Sequence, residues 1–148
     1  MKAVLLVVVA ACGGASAEKP ADSGHHAAAE LAPLCRAHYA RLTTCETEYL
    51  NAELDLRIEL NMPPDTRELV ASTGRDAVLA IARDQWRTTF STPEKVAEVC
   101  SAIVHVPADQ VDRLVAQANH CAAMADCAGF GTCSAEDERS YIASGATH

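Results

Sequence analysis

The feature that most limits what this chain can fold into is a set of six cysteines spread between residues 35 and 133. They stand at Cys35, Cys45, Cys100, Cys121, Cys127 and Cys133. An even number of cysteines in a small exported chain is typical of a disulfide framework. We therefore predict three disulfides, and the count alone does not choose among the possible pairings.

The composition explains why the fold would need covalent links. Hydrophobic residues make up 49% of the 148 residues, but aromatic residues only 4%, and alanine dominates the rest. A core of Ala, Val and Leu buries little apolar area per residue. Small domains with weak cores commonly depend on disulfides for stability.

The clearest hydrophobic period lies in the first half of the chain and alternates by four and three residues. It runs through Leu31, Cys35, His38, Leu42, Cys45, Tyr49, Ala52 and Leu56. This spacing predicts one long helix, with Arg41 and Glu53 among the residues on its solvated face. The segment Asn61–Pro64 would end that helix.

The long helix constrains the disulfides. Cys35 and Cys45 are ten residues apart, which separates them by about 15 Å along a helix axis. The two Cα atoms of a disulfide lie within about 7 Å of each other, so these cysteines should not pair together. Each should pair with a cysteine among residues 100–133, closing a loop of roughly 55 to 100 residues.

The rest of the chain also has helical patterns. Trp86 and Phe90 are four residues apart and should lie in the core, with Ile81 on the same apolar side. Thr92-Pro93 is a helix start signal, and a short final segment begins at Asp126. We found no strand pattern. The prediction is an all-α domain over residues 30–134, a small bundle of about five helices held by three disulfides.

The N-terminus has the pattern of an export signal. Lys2 precedes nine apolar residues, too few for a stable transmembrane helix of about 20 residues. Val9-Ala10-Ala11-Cys12 has the form of a lipobox, which predicts a signal peptide over residues 1–11 and lipidation of Cys12. The alternative is ordinary cleavage after Ala17, within Ala15-Ser16-Ala17, which would release a periplasmic or secreted protein.

Two further segments have few apolar residues. Residues 12–29 are small and polar and predict a flexible tether behind the lipidated cysteine. Residues 135–148 are expected to form a loose tail. Gly13 follows the modified cysteine where aspartate would favour the inner membrane, so we expect the outer membrane of a bacterial envelope.

Charge and motifs exclude several functions. The formal charge is −8, and an acidic chain does not gain from neutralising phosphates, which excludes nucleic acid as a partner. No catalytic set stands out, and we expect neither an enzyme nor a cofactor. The spacing C-x5-C-x5-C with His120 does not suit a zinc loop, so no metal is expected. His38, His105 and His120 are interpreted as packed or capping residues.

The lipobox, the cysteine layout and the ending CAAMADCAGFGTC resemble those of small cysteine-rich helical lipoproteins of bacteria. The resemblance implies a fold and a location but no activity. The functional hypothesis is a lipid-anchored binding or structural module that contacts the membrane through its lipid and another envelope protein. The alternative is a periplasmic small-ligand carrier or enzyme inhibitor with a pocket among the helices near Trp86.

Overall fold

A computed structural model describes residues 23–90, 92–101, 108–139 and 142. These residues form seven helices and no strand, so the all-α prediction is confirmed and the helix count exceeds the expected five. The helices are α1 (Ser23–Thr44), α2 (Glu46–Leu60), α3 (Thr66–Thr73), α4 (Arg75–Phe90), α5 (Pro93–Ser101), α6 (Ala108–Ala122) and α7 (Cys127–Asp137).

The predicted long first helix is two helices, α1 and α2, that meet at Cys45. Just before the break, the Thr43 and Thr44 hydroxyls donate hydrogen bonds to the carbonyls of Tyr39 and Ala40, four residues earlier. Such side-chain bonds compete with the helical ladder and bend it. The buried face nevertheless continues across the break, because Leu42, Cys45 and Tyr49 are all buried.

The core lies around α2, which contacts α1, α3, α4 and α7. Trp86 is 2% exposed, and its ring centroid lies 5.2 Å from that of Tyr49 and 4.3 Å from that of Phe90. Tyr39 from α1 stacks on Phe90 at 4.8 Å. Four of the aromatic side chains among the described residues thus form one cluster, and Trp86 and Phe90 lie in the core as predicted.

The three disulfides are Cys35–Cys100, Cys45–Cys127 and Cys121–Cys133, with sequence separations of 65, 82 and 12 residues. Cys35 and Cys45 do not bond to each other, and each reaches a cysteine in the second half of the chain. The loops closed by Cys35 and Cys45, of 65 and 82 residues, fall within the range predicted for these two cysteines. The first two bonds therefore join α1 and α2 to distant elements.

The boundaries of the domain differ from the prediction at both ends. Helix α1 begins at Ser23, within the expected tether, where consecutive alanines favour a helix. Helix α7 continues to Asp137, and both Ala135 and Ile142 are buried, so the start of the expected loose tail is packed. The signal peptide and Cys12 lie outside the described residues. No helix among the described residues is long and apolar enough to cross a membrane.

Candidate functional site

Helix α7 carries Cys133, Glu136 and Asp137, and its start is well defined. Asp126 caps the helix, and its Oδ1 atom accepts a hydrogen bond from the Gly129 backbone N–H at 2.8 Å. Gly129-Phe130-Gly131 lies within this helix. A Cβ atom on Gly131 would lie 2.8 Å from the Tyr49 backbone nitrogen, so glycine permits close packing of α7 on α2.

The end of α6 is held by Arg41 from α1. Its Nη1 atom donates a 2.6 Å hydrogen bond to the Ala122 carbonyl, and its Nη2 atom donates to the Met124 carbonyl. The guanidinium also lies 4.3 Å from the centre of the Phe130 ring. A cation at the C-terminal end of a helix satisfies free carbonyls and interacts favourably with the helix dipole. Arg41 therefore positions the end of α6 against α7.

Between the end of α6 and the outer face of α7 lies an open hollow of about 580 Å³, which we call the α6–α7 hollow. The residues that line it are His120, Met124, Ala128, Gly129, Thr132, Cys133, Glu136 and Asp137. The Cys121–Cys133 disulfide joins the two helices here. Cys121 is fully buried, whereas Cys133 is partly exposed on the wall of the hollow.

A carboxyl group contacts this disulfide. Asp137 Oδ2 lies 3.2 Å from Cys121 Sγ. Partial burial raises the pKa of Asp137 above its ordinary value, and the nearby His120 opposes that rise. His120 is exposed and therefore not packed, and it lies in the last turn of α6, where a capping histidine is expected. The hollow thus combines a disulfide with an acid whose proton is held more tightly than usual.

The side chains of this disulfide and Asp137 also bring three potential metal ligands together. The ligand atoms of Cys121, Cys133 and Asp137 lie within 4.8 Å of one another. Zinc binds cysteine as a thiolate, and here the two sulfurs are bonded to each other. In this oxidised state the cluster does not supply the donors that zinc requires.

A buried polar cluster, which we call the Glu138 cluster, lies one residue further along the chain. The Tyr49 hydroxyl donates a 2.8 Å hydrogen bond to Glu138 Oε1. Glu53, only 3% exposed, forms an ion pair with Arg57 in which Nη2 and Oε1 are 2.7 Å apart. Burial, followed by repulsion from Glu53, raises the pKa of Glu138 to about 8. Burial likewise raises the pKa of Tyr49, so both groups are neutral at pH 7.

The pKa of Glu138 makes the stability of the fold depend on pH. The folded protein retains this proton up to about pH 8, whereas the unfolded chain loses it near the ordinary value of 4.5. The unfolded state therefore binds fewer protons across this window, and stability should fall as the pH rises through it. Glu138→Gln keeps an acceptor for Tyr49 and removes the ionisation. We expect the melting temperature of the wild type to fall by several degrees more between pH 5 and 9 than that of Glu138→Gln.

Glu136→Gln is the matched control for this prediction. Glu136 is exposed on the same helix, and its hydrogen bond with Arg139 lowers its pKa below the ordinary value. Its substitution should leave the wild-type decline between pH 5 and 9 unchanged. Equal declines in the wild type and in Glu138→Gln would contradict the assignment to Glu138.

A second hollow of about 360 Å³ lies where α2, the turn after it and α3 meet, with Leu54, Pro63 and Leu69 in its wall. Neither hollow is lined by Trp86. The alternative hypothesis places a pocket near Trp86, and the rings of Tyr39, Tyr49 and Phe90 pack against that residue.

The six predicted disulfide cysteines are all paired, but only Cys121 and Cys133 lie at the α6–α7 hollow. His38 is packed, as predicted, 5.3 Å from the Phe130 ring, and burial lowers its pKa. His105 lies outside the described residues. Asp137 and Glu138 had been assigned to the loose tail and were missed. No protein-family model, curated protein or solved structure matches this chain.

Proposed function

We propose that this chain is a bacterial envelope lipoprotein, anchored through lipid on Cys12, whose helical domain acts as a binding or structural module. The observation that carries the proposal is the pairing of the cysteines. Three disulfides use six of the seven cysteines and leave Cys12. Such bonds persist in oxidising compartments outside the cytoplasm. The remaining cysteine follows an apolar run at the position that a lipobox requires.

The packing of the core supports a module rather than a small-ligand carrier. Carriers enclose their ligands in concave, mostly apolar pockets. Here the largest aromatic side chains, Trp86, Tyr49 and Phe130, are fully buried against neighbouring side chains. The partner consistent with an acidic, tethered domain is another envelope protein. Native mass spectrometry of the purified protein tests this choice, because a stoichiometric small molecule would favour the carrier instead.

Lipidation of Cys12 is tested by the mass of the mature chain from a bacterial host that processes lipoproteins. We expect the chain to begin at an acylated Cys12 and to partition into detergent. Several acyl chains, at about 0.8 kcal/mol for each buried CH₂ group, make membrane attachment effectively permanent. Cys12→Ala should abolish acylation and detergent partitioning.

Ala17→Asp is the control that separates the two cleavage sites. It spoils the alternative cleavage sequence Ala15-Ser16-Ala17 and should leave lipoprotein processing intact. A wild-type chain that begins at an unmodified Glu18, together with loss of processing in Ala17→Asp, would contradict the proposal.

A further inference from the structure

We propose that Cys121–Cys133 is an exchangeable disulfide at which Asp137 acts as the proton donor to the leaving sulfur. The substrate is a thiol, either a small molecule or a cysteine on another protein, that enters the α6–α7 hollow. This inference goes beyond the proposed lipoprotein function and does not depend on the anchor.

The two sulfurs of this bond differ in access. Cys133 is partly exposed and forms part of the wall of the hollow, whereas Cys121 is fully buried. A thiolate must approach the sulfur that it attacks along the line of the S–S bond, and access decides which sulfur reacts. Attack therefore occurs at Cys133, and Cys121 is the leaving group.

The leaving group has an acid beside it. Asp137 Oδ2, at 3.2 Å from Cys121 Sγ, is within the reach of proton transfer to that sulfur. The charged or titratable groups around Asp137 are His120 on α6, Glu136 on α7 and Glu138 at the C-cap of α7. Partial burial raises the pKa of Asp137, which keeps more of the carboxyl in the form that can donate.

The reaction consists of two successive thiol–disulfide exchanges. A substrate thiolate bonds to Cys133 Sγ while the Cys121–Cys133 bond breaks, and Cys121 Sγ takes the proton of Asp137. A second thiolate then displaces the Cys133 sulfur, which takes a proton from water. Two substrate thiols are thereby oxidised to one disulfide, and the protein disulfide is reduced to two thiols. In the reverse direction, the dithiol protein reduces a substrate disulfide.

The fold is built to tolerate this opening. The bond closes a loop of only 12 residues, between helices that already contact each other. Helix α7 remains tied to α2 through Cys45–Cys127 and packs closely on it at Gly131. Arg41 still holds the end of α6. Exchange at this site therefore does not require unfolding.

The test is the rate at which dithiothreitol opens each disulfide in the full-length protein, followed by alkylation and mass spectrometry. We expect Cys121–Cys133 to open first in the folded protein. The rate at which this bond opens, divided by the concentration of dithiothreitol thiolate, should rise as the pH falls and Asp137 becomes protonated. Asp137→Asn should slow opening by about ten-fold or more and abolish that rise, since a positioned acid contributes about a hundred-fold or more. Glu136→Gln, on the wall of the same hollow, should retain the wild-type pH profile.

A second measurement tests the direction of attack without depending on the rate. With Cys121→Ser, the remaining Cys133 thiol should form a mixed disulfide with oxidised glutathione. With Cys133→Ser, the buried Cys121 thiol should not, while circular dichroism checks that both variants stay helical. Faster reaction at Cys121, or a wild-type pH profile in Asp137→Asn, would overturn the proposal.

Discussion

Replacing Gly131 by alanine is expected to lower the free energy of unfolding by about 1 to 3 kcal/mol, the range of an overpacked core position. The new Cβ atom would lie 2.8 Å from the Tyr49 nitrogen, 2.9 Å from the Glu48 carbonyl carbon and 3.0 Å from the Tyr49 Cα atom. All three are backbone atoms of α2, which cannot rotate away as a side chain can. The clash outweighs the gain of about 1 kcal/mol that alanine brings to a helix interior. Chemical denaturation monitored by circular dichroism measures the change.

Gly129→Ala is the matched control on the same helix. Its Cβ atom would meet only side-chain atoms, the nearest being Asp126 Oδ1 at 3.3 Å. Because those atoms can move by a few tenths of an ångström, we expect a change within about 1 kcal/mol, with the helix propensity of alanine acting in its favour. Equal effects of the two substitutions would show that α2 and α7 do not pack closely at Gly131.

Removal of the Cys45–Cys127 bond is expected to destabilise the domain more than removal of the Cys121–Cys133 bond. In the chain-entropy treatment, a loop of 82 residues contributes about 4.5 kcal/mol and one of 12 residues about 3 kcal/mol. Each of these two bonds has one cysteine in the core cluster, Cys45 or Cys121, so the packing losses are similar and the loop length decides the ranking. The variant Cys45→Ala/Cys127→Ala should therefore melt at a much lower temperature than the wild type or remain unfolded.

Cys121→Ala/Cys133→Ala is the comparison for that experiment. It removes a bond of the same kind between neighbouring helices, and it should keep a cooperative thermal transition. A larger loss of melting temperature in this variant than in the Cys45–Cys127 variant would contradict the ranking.

The absence of a bond between Cys35 and Cys45 could be predicted from the sequence, because it rests on distance alone. Ten residues of helix separate two Cα atoms too far for a bond, whatever the rest of the fold does. The break at Cys45 did not change this result, because α1 is continuous from Cys35 to Thr44 and the Cys45 N–H still donates to the Arg41 carbonyl. The partners in the second half could not be chosen, since that choice depends on how α5 and α7 pack on α1 and α2.

Binary patterning assigned three side chains, Glu53, Arg41 and Ile81, to the wrong environment. Glu53 and Arg41 were assigned to a solvated face, but Glu53 is buried with Arg57 and Arg41 binds carbonyls at the end of α6. Ile81, expected in the core, is 47% exposed. It lies about 60° outside the arc of α4 that contains Val78 and Trp86. One-dimensional periodicity does not reveal which polar groups find partners across helices.

The Glu138 cluster could have been found by extending the period of the last helix. Phe130, Ser134, Glu138 and Ile142 follow one another at intervals of four residues, and Phe130, Ser134 and Ile142 are buried. The high density of charges after Cys133 concealed this face. The role of Gly131 left no comparable signal, because close approach of two helix backbones is a property of the tertiary structure.

The order of the cysteines along the chain has a consequence for biosynthesis. A chain emerges with its N-terminus first, so Cys35 and Cys45 are exposed together long before Cys100 or Cys127. The two long-range bonds also interleave, since Cys45 lies inside the loop that Cys35–Cys100 closes and its partner lies outside. Oxidation in order of emergence would join Cys35 to Cys45, a bond that the folded domain excludes. Correct maturation thus favours late oxidation or a thiol–disulfide isomerase that rearranges the first bond formed.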